Sequence, residues 1–234
     1  MIVAIGCGGP QIQSLPDYDS NKLEGHQLLV VPLAVSDELG DERTGVVLSY
    51  ATAVSASRAA CQRLGENTTS AGFVCPDTRA TAKDSSVSKL QKLFALDEEV
   101  PLELLTSIRR ASRADYALLF RPESVSSSRE VSKTIQGKGA FLVGGSGGTL
   151  AVSGLVSALL VGASTRYVRQ GTTDVEYTLS GALIDLQSGK LLRVGVHSDG
   201  ASRTVNRDLG YAEPPATAPL LEDIMVTLGD ALVD

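Results

Sequence analysis

Apolar and polar positions fall in blocks along this chain, and the length and period of each apolar block separate strands from helices. His26 to Val35 (HQLLVVPLAV) is an apolar run of strand length, rich in Leu and Val, so a buried strand is expected there. Polar residues 36 to 43 form a loop. A helix is expected over 45 to 64, capped by Thr44, with Val46, Val47, Tyr50, Val54 and Leu64 near helical spacing and alanines between them. Ala71 to Cys75 reads as a short strand stopped by Pro76. Two helices follow, over 85 to 96 and 101 to 112. The second has Pro101 at a first helical position, Leu104, Leu105 and Ile108 on its apolar face, and Arg109, Arg110 and Arg113 at its C-terminal end. Ala114 to Phe120 is a strand. Val175 to Leu186 alternates, Gln187-Ser188-Gly189-Lys190 turns, and Leu191 to His197 returns, which is a hairpin pattern. Leu220, Leu221, Ile224, Leu228 and Leu232 then mark a final helix over 219 to 233. The order is β-α-β-α-α-β, an insertion, β-β and α. The fold class is α/β in the broad α+β sense, a mixed sheet flanked by helices.

Three stretches lack this periodicity. Residues 8 to 26 are rich in Gly, Pro, Asp, Ser and Asn and read as a flexible tether, which leaves 27 to 234 as one α/β domain. Residues 124 to 138 are Ser-rich and charged, hence exposed. No pair of long alternating strands is legible, so a transmembrane β-barrel is not expected. Residues 139 to 165 (GAFLVGGSGGTLAVSGLVSALLVGAST) carry no charge and form a Gly-rich apolar insertion. Three readings stay open for it: a core strand, Gly loop and buried helix; a membrane or oligomer contact through Leu150, Gly154 and Ala158; or a ligand site. As a helix it is long enough to span a bilayer once, although its glycine cluster weakens that helix. No Gly-Lys-Ser/Thr follows the glycines, and no acidic residue stands where a dinucleotide fingerprint needs one.

Composition narrows the function. The chain has 234 residues, enough to bury a real core, with 43% hydrophobic and 21% charged residues. A net charge of -6 and the lack of a long Lys/Arg run argue against a nucleic-acid partner. Two His and three Cys make a zinc site improbable, and no metal or other cofactor is expected. Three cysteines leave one over: Cys61 and Cys75 either pair across 14 positions or stand as buried thiols, with Cys7 apart.

One catalytic pattern is present. Gly144-x-Ser146-x-Gly148 has the letters of a nucleophile elbow, and Asp185 and His197 follow in the order Ser, Asp, His. A serine hydrolase needs those three because a hydroxyl attacks only after a base, oriented by an acid, takes its proton. Only two strands follow the elbow, too little sheet for an α/β-hydrolase, so the chain is read as no enzyme and the Ser146, Asp185, His197 set as an alternative.

Val3-Ala4-Ile5-Gly6-Cys7-Gly8-Gly9 resembles a bacterial lipobox, the site at which an exported protein is cut just before a cysteine that receives lipid. The resemblance implies residues 1 to 7 as the remnant of a signal peptide and Cys7 as the lipid attachment point. With Cys7 acylated, Cys61 and Cys75 are left as partners in an oxidising compartment. The opening strand LLVVPLAV, the junction Arg113-Ala114-Asp115-Tyr116-Ala117-Leu118-Leu119 and the hairpin Ser180 to Lys190 together resemble the α/β domain shared by the curli-secretion lipoprotein family and the N-terminal domain of the Tol-system propeller protein. That resemblance implies a non-catalytic assembly or scaffold domain in the cell envelope. It would face the periplasm from the outer membrane, with other envelope proteins and its own copies as partners.

Overall fold

The computed structural model describes residues 9–16, 18–19, 23–33, 40–41, 46–68, 71–75, 85–95, 100–136, 166–206 and 216–234. Its strands are β1 (Gln11–Ser14), β2 (Gln27–Val30), β3 (Gly40–Asp41), β4 (Val46–Val47), β5 (Gly72–Val74), β6 (Tyr116–Gln136), β7 (Arg166–Asp185) and β8 (Leu191–Asn206). Its helices are α1 (Tyr50–Asn67), α2 (Ser85–Ala95), α3 (Leu102–Ser112) and α4 (Thr217–Val233). Six strands form one sheet in the order β1-β8-β7-β6-β2-β5. The sheet is mixed: β2 runs parallel to β5 and β6, and β1 runs antiparallel to β8. This is the α+β class that the alternation of runs implies.

Period two explains the layers. Leu28, Val30, Leu118, Phe120, Tyr177, Leu179 and Leu183 point to one face, where they meet α1 and α4. Leu29, Val31, Ala117, Leu119, Ala182, Ile184 and Leu186 point to the other and meet α2 and α3. Alanines at 53, 56 and 60 bring α1 close to the sheet, and Leu221, Ile224, Leu228 and Leu232 do the same work on α4. On the exposed side of these helices Arg63 reaches Glu222 at 3.0 Å. The Cys61–Cys75 disulfide spans a Cα separation of 5.7 Å and ties buried Cys61 of α1 to the residue after edge strand β5.

Several boundaries differ from those read off the sequence. Helix α1 starts at Tyr50, not 45, because Ser49 is its N-cap, its Oγ accepting from the Thr52 amide at 3.2 Å. Val46 and Val47 instead form β4 and pair with Asp41 and Gly40. Thr44 lies outside the described residues. Pro101 sits at the N-cap of α3 rather than inside its first turn.

The stretch read as a flexible tether contains β1, in register with β8 from Gln11↔Val196 to Ser14↔Arg193. Ile12 packs on the core and lies over Gly195, where a Cβ would meet Ile12 and come within 2.9 Å of Leu228. The Ser-rich stretch read as exposed lies in a strand up to Gln136: β6 is 21 residues long, β7 20 and β8 16. Long alternating strands are therefore present, against the expectation of none. Alternating Ser, Thr and Val residues sustain such a strand without the long apolar run that announces a buried one. The chain divides into two compact units: residues 1–127, 175–201 and 215–234 form the first, 128–174 and 202–214 the second. In the second, Ser128 Oγ donates to Asp174 at 3.2 Å, and Thr173 is buried.

Two outcomes follow from this packing. Reduction of the Cys61–Cys75 bridge releases a closed loop with a sequence separation of 14. It is expected to lower unfolding stability by about 3 kcal/mol, read from urea titrations with and without a reductant. Gly195→Val is expected to push Ile12 off the sheet, so that hydrogen exchange at the β1 amides accelerates while that of β2 is unchanged.

Candidate functional site

The first unit gathers its polar groups at the end of the sheet where β2 and β6 begin and β7 turns into β8. Helix α3 delivers the chain there. Ser112 Oγ donates to the Ile108 carbonyl at 2.8 Å and accepts from the Ala114 amide at 3.2 Å, while Arg113 takes a left-handed conformation at φ 60° that closes the helix. Asp115 follows and ties three elements together. Its amide donates to the Gln27 carbonyl, and its carbonyl accepts from the Leu186 amide, each at 2.9 Å. Its carboxylate is 2.7 Å from His26 Nδ1 through Oδ2 and accepts from Arg109 Nη2 at 2.9 Å through Oδ1. The His26 ring meets the Tyr116 ring edge to face at 5.6 Å.

The β7–β8 turn closes the same end. Asp185 Oδ1 accepts from the Gln187 amide at 2.7 Å and the Ser188 amide at 3.3 Å, and its Oδ2 accepts from Ser188 Oγ at 2.7 Å. Gly189 supplies the φ of 73° that the turn requires. Between this turn and Tyr116 lies a cleft of about 310 Å³, lined also by Asp19, Leu23, Lys190 and Leu192. Its lining combines apolar Leu23 and Leu192 with Asp19, Asp185 and Lys190, which carry both signs of charge. The hydrogen bond from His26, with Arg109 behind it, holds the Asp115 carboxyl below the usual carboxylate range against the opposing pull of burial. Burial raises the Tyr116 hydroxyl, and the charges of Asp185 and Asp115 add to the effect. The arrangement can lock strand starts to a helix end and offer a polar contact surface. Every Asp115 group named here is already engaged by a protein group.

The sequence-derived sites fall differently. Cys61 and Cys75 are joined. Asp185 and His197 are not brought together: Asp185 ends β7 with its carboxylate committed to the turn, while His197 precedes Ser198, whose Oγ is 2.8 Å from Thr178 Oγ1 seven residues up the hairpin. At ~3.3 Å per residue they stand about 20 Å apart. That is far beyond the hydrogen bond that a catalytic acid and base share. Burial lowers the His197 pKa, with the nearby Asp199 acting the other way. Ser146, Cys7, and the contact residues Leu150, Gly154 and Ala158 lie outside the described residues, as does the segment read as a single span. Among the described residues no helix is long and apolar enough to cross a membrane, and no cluster of three or more His, Cys, Asp or Glu is placed to hold a metal. The His26, Asp115, Arg109 group went unrecognised in the sequence. Arg109 reads there as a helix-end charge and His26 as a strand start, and nothing local links positions 89 apart.

An α+β domain with a mixed six-strand sheet is thus the class that the geometry defines. No protein-family model matches the chain. No curated protein matches it in sequence. Among solved structures it is similar to the PelC dodecamer from Paraburkholderia phytofirmans, at 12% identity over 95% of each chain with a TM-score of 0.38. It is also similar to the hypothetical protein CT253 from Chlamydia trachomatis, at 8% identity over 89% of this chain and 95% of that one, TM-score 0.42. A third is Lipoprotein GNA1162 from Neisseria meningitidis, at 11% identity over 88% and 97%, TM-score 0.36.

The Asp115 junction has a pH signature. A carboxyl more acidic in the fold than in the unfolded chain adds stability above its unfolded pKa and loses it as pH falls through its folded value. Asp115→Asn is expected to cost about 1–2 kcal/mol at neutral pH, with half-exposed partners limiting the loss. The gap to the parent protein should close as pH falls below about 4, read from urea unfolding across that range.

Proposed function

We propose that this chain is a bacterial envelope lipoprotein, acylated on Cys7, whose α/β domain is non-catalytic and acts by binding other envelope proteins. The observation that carries the reading is the Cys61–Cys75 disulfide inside the fold. Such a bridge is common in oxidising compartments and supports a folded domain outside the cytoplasm. It also uses two of the three cysteines and leaves Cys7, the one in the lipobox-like sequence, for the lipid. The separation of Asp185 from His197 favours the non-catalytic reading. The polar cleft beside Tyr116 and the exposed apolar side chains Tyr50 and Leu102 supply surface for protein partners. Outer-membrane residence and self-association belong to the same proposal.

The test is metabolic labelling with radioactive palmitate in a bacterial host that expresses the chain behind a functional leader. The parent protein should take up label and the Cys7→Ala variant should take up none. Equal labelling of both, or none of either, would remove the anchor from this account.

A further inference from the structure

We propose that the outer edge of strand β8 beyond Val196 docks a second copy of this chain, the two β8 strands pairing antiparallel about Ala201. The inference deepens the self-association named above by giving it a surface, and it does not depend on acylation.

The backbone groups that face outward carry it. Strand β1 covers β8 only from Arg193 to Val196, while β8 runs on to Asn206. Among the described residues, the strand neighbours of β8 are β1 and β7. The Leu15 amide donates to the Leu192 carbonyl at 2.9 Å, and with the register this turns the backbone groups of Val194 and Val196 toward β1. Alternation carries the same side on to Ser198, Gly200, Ser202 and Thr204, past the point where β1 has left. Thr178 and Ser198 fit this phase: hydroxyls 2.8 Å apart mark a directly opposed pair whose backbone groups turn away from each other. Gly200 fits it too. Its exposed amide turns to the neighbouring Asp199 carboxylate, with Oδ1 at 2.8 Å, a local substitute for a ladder acceptor. The described start of the chain does not fill this row. An antiparallel continuation of β1 would set Gly9 opposite Ser198, yet Gly9 and Pro10 lie outside the strand.

The other two edges of the sheet are guarded. Strand β1 has 4 residues between Pro10 and Pro16, and β5 has 3 residues and leads into the disulfide at Cys75. His197 to Asn206 contains no Pro and no Lys. Its charges, Asp199 and Arg203, are both exposed, and their spacing selects the partner. In self-pairing about Ala201, Asp199 of each copy stands opposite Arg203 of the other, and the symmetry makes this contact twice. Both fall at non-hydrogen-bonded positions, where side chains approach most closely. Gly200 of one copy exchanges backbone hydrogen bonds with Ser202 of the other, and Ser198 does so with Thr204. The Gly200 amide then passes from Asp199 to a carbonyl of the second copy, which releases that carboxylate toward Arg203. Centring the pair on Asp199 or on Arg203 instead would oppose like charges.

The test is analytical ultracentrifugation of the full chain carrying Cys7→Ala, so that its result is independent of the lipid. Asp199→Arg and Arg203→Asp should each weaken the dimer about tenfold or more, since either sets like charges opposite one another twice, and the double reversal should restore it. Ala201→Cys should oxidise to a covalent dimer, because the opposed Cα atoms stand about 4.5 Å apart, within disulfide reach. Val196→Cys should not, its two copies lying about 33 Å apart along the paired strands. A parent protein that is monomeric at about 100 μM overturns the proposal. So does a dimer indifferent to the single reversals, a double reversal that fails to restore it, or equal crosslinking at positions 196 and 201. A dimer that ignores every reversal leaves self-association standing through another surface, and palmitate labelling of the Cys7 protein reads the lipoprotein account separately.

Discussion

Strand β2 has no solvent side, and that constraint organises the first unit. Leu28, Leu29, Val30 and Val31 are all buried, and alternate residues point to opposite faces. A strand of this kind cannot be stabilised by one layer of helices. Each fully buried aliphatic side chain contributes about 1.5–3 kcal/mol, so leaving either face bare forfeits half of that. The first part of β6 repeats the pattern with Ala117 and Leu119 against Leu118 and Phe120. Two helix pairs are the answer: α1 with α4 on one face, α2 with α3 on the other. Further along β7 the second face changes character. Glu176, Thr178 and Ser180 replace the apolar residues there, while Val175, Tyr177 and Leu179 stay buried on the first. The helical cover ends where the apolar residues end.

The junction at Asp115 solves the problem that this layering creates. A helix on one face must hand its chain to a strand in the middle of the sheet, where backbone groups cannot be left without partners. Arg113 reverses the chain, and Asp115 then bonds β2 through its amide, the end of β7 through its carbonyl, and α3 and His26 through its carboxylate. One residue serves four neighbours because its short side chain and both backbone groups point in different directions.

Much of this was legible beforehand, for particular reasons. The β2 run, the α3 face of Leu105 and Ile108, the β7–β8 turn with Asp185 and Gly189, and the terminal helix each carry a local pattern that matches what they do. Strand β1 does not. Its single apolar residue, Ile12, matters because Gly195 leaves room for it, and that glycine is far along the chain. The outer parts of β6 and β7 were hidden because polar alternation in a strand looks like exposed loop. Val46 and Val47 sit at helical spacing from Tyr50 yet join a two-strand ribbon, a tertiary pairing that overrides the period. The candidate site was half visible: the turn could be read from its letters, whereas the partnership of His26, Arg109 and Asp115 arises only when β2 and β6 lie side by side. Of the Ser, Asp, His order, the hairpin sets its two later members, Asp185 and His197, well apart along its length.

Tyr18 is held by both late parts of the chain. Arg193 donates to its hydroxyl at 3.1 Å and covers its ring at 4.5 Å, and the hydroxyl in turn donates to Val233, 215 positions away. Synthesis runs from the N-terminus, so this contact cannot form until the final helix has emerged, and β1 must likewise wait for β8. The beginning of the polypeptide is therefore among the last parts to find its place.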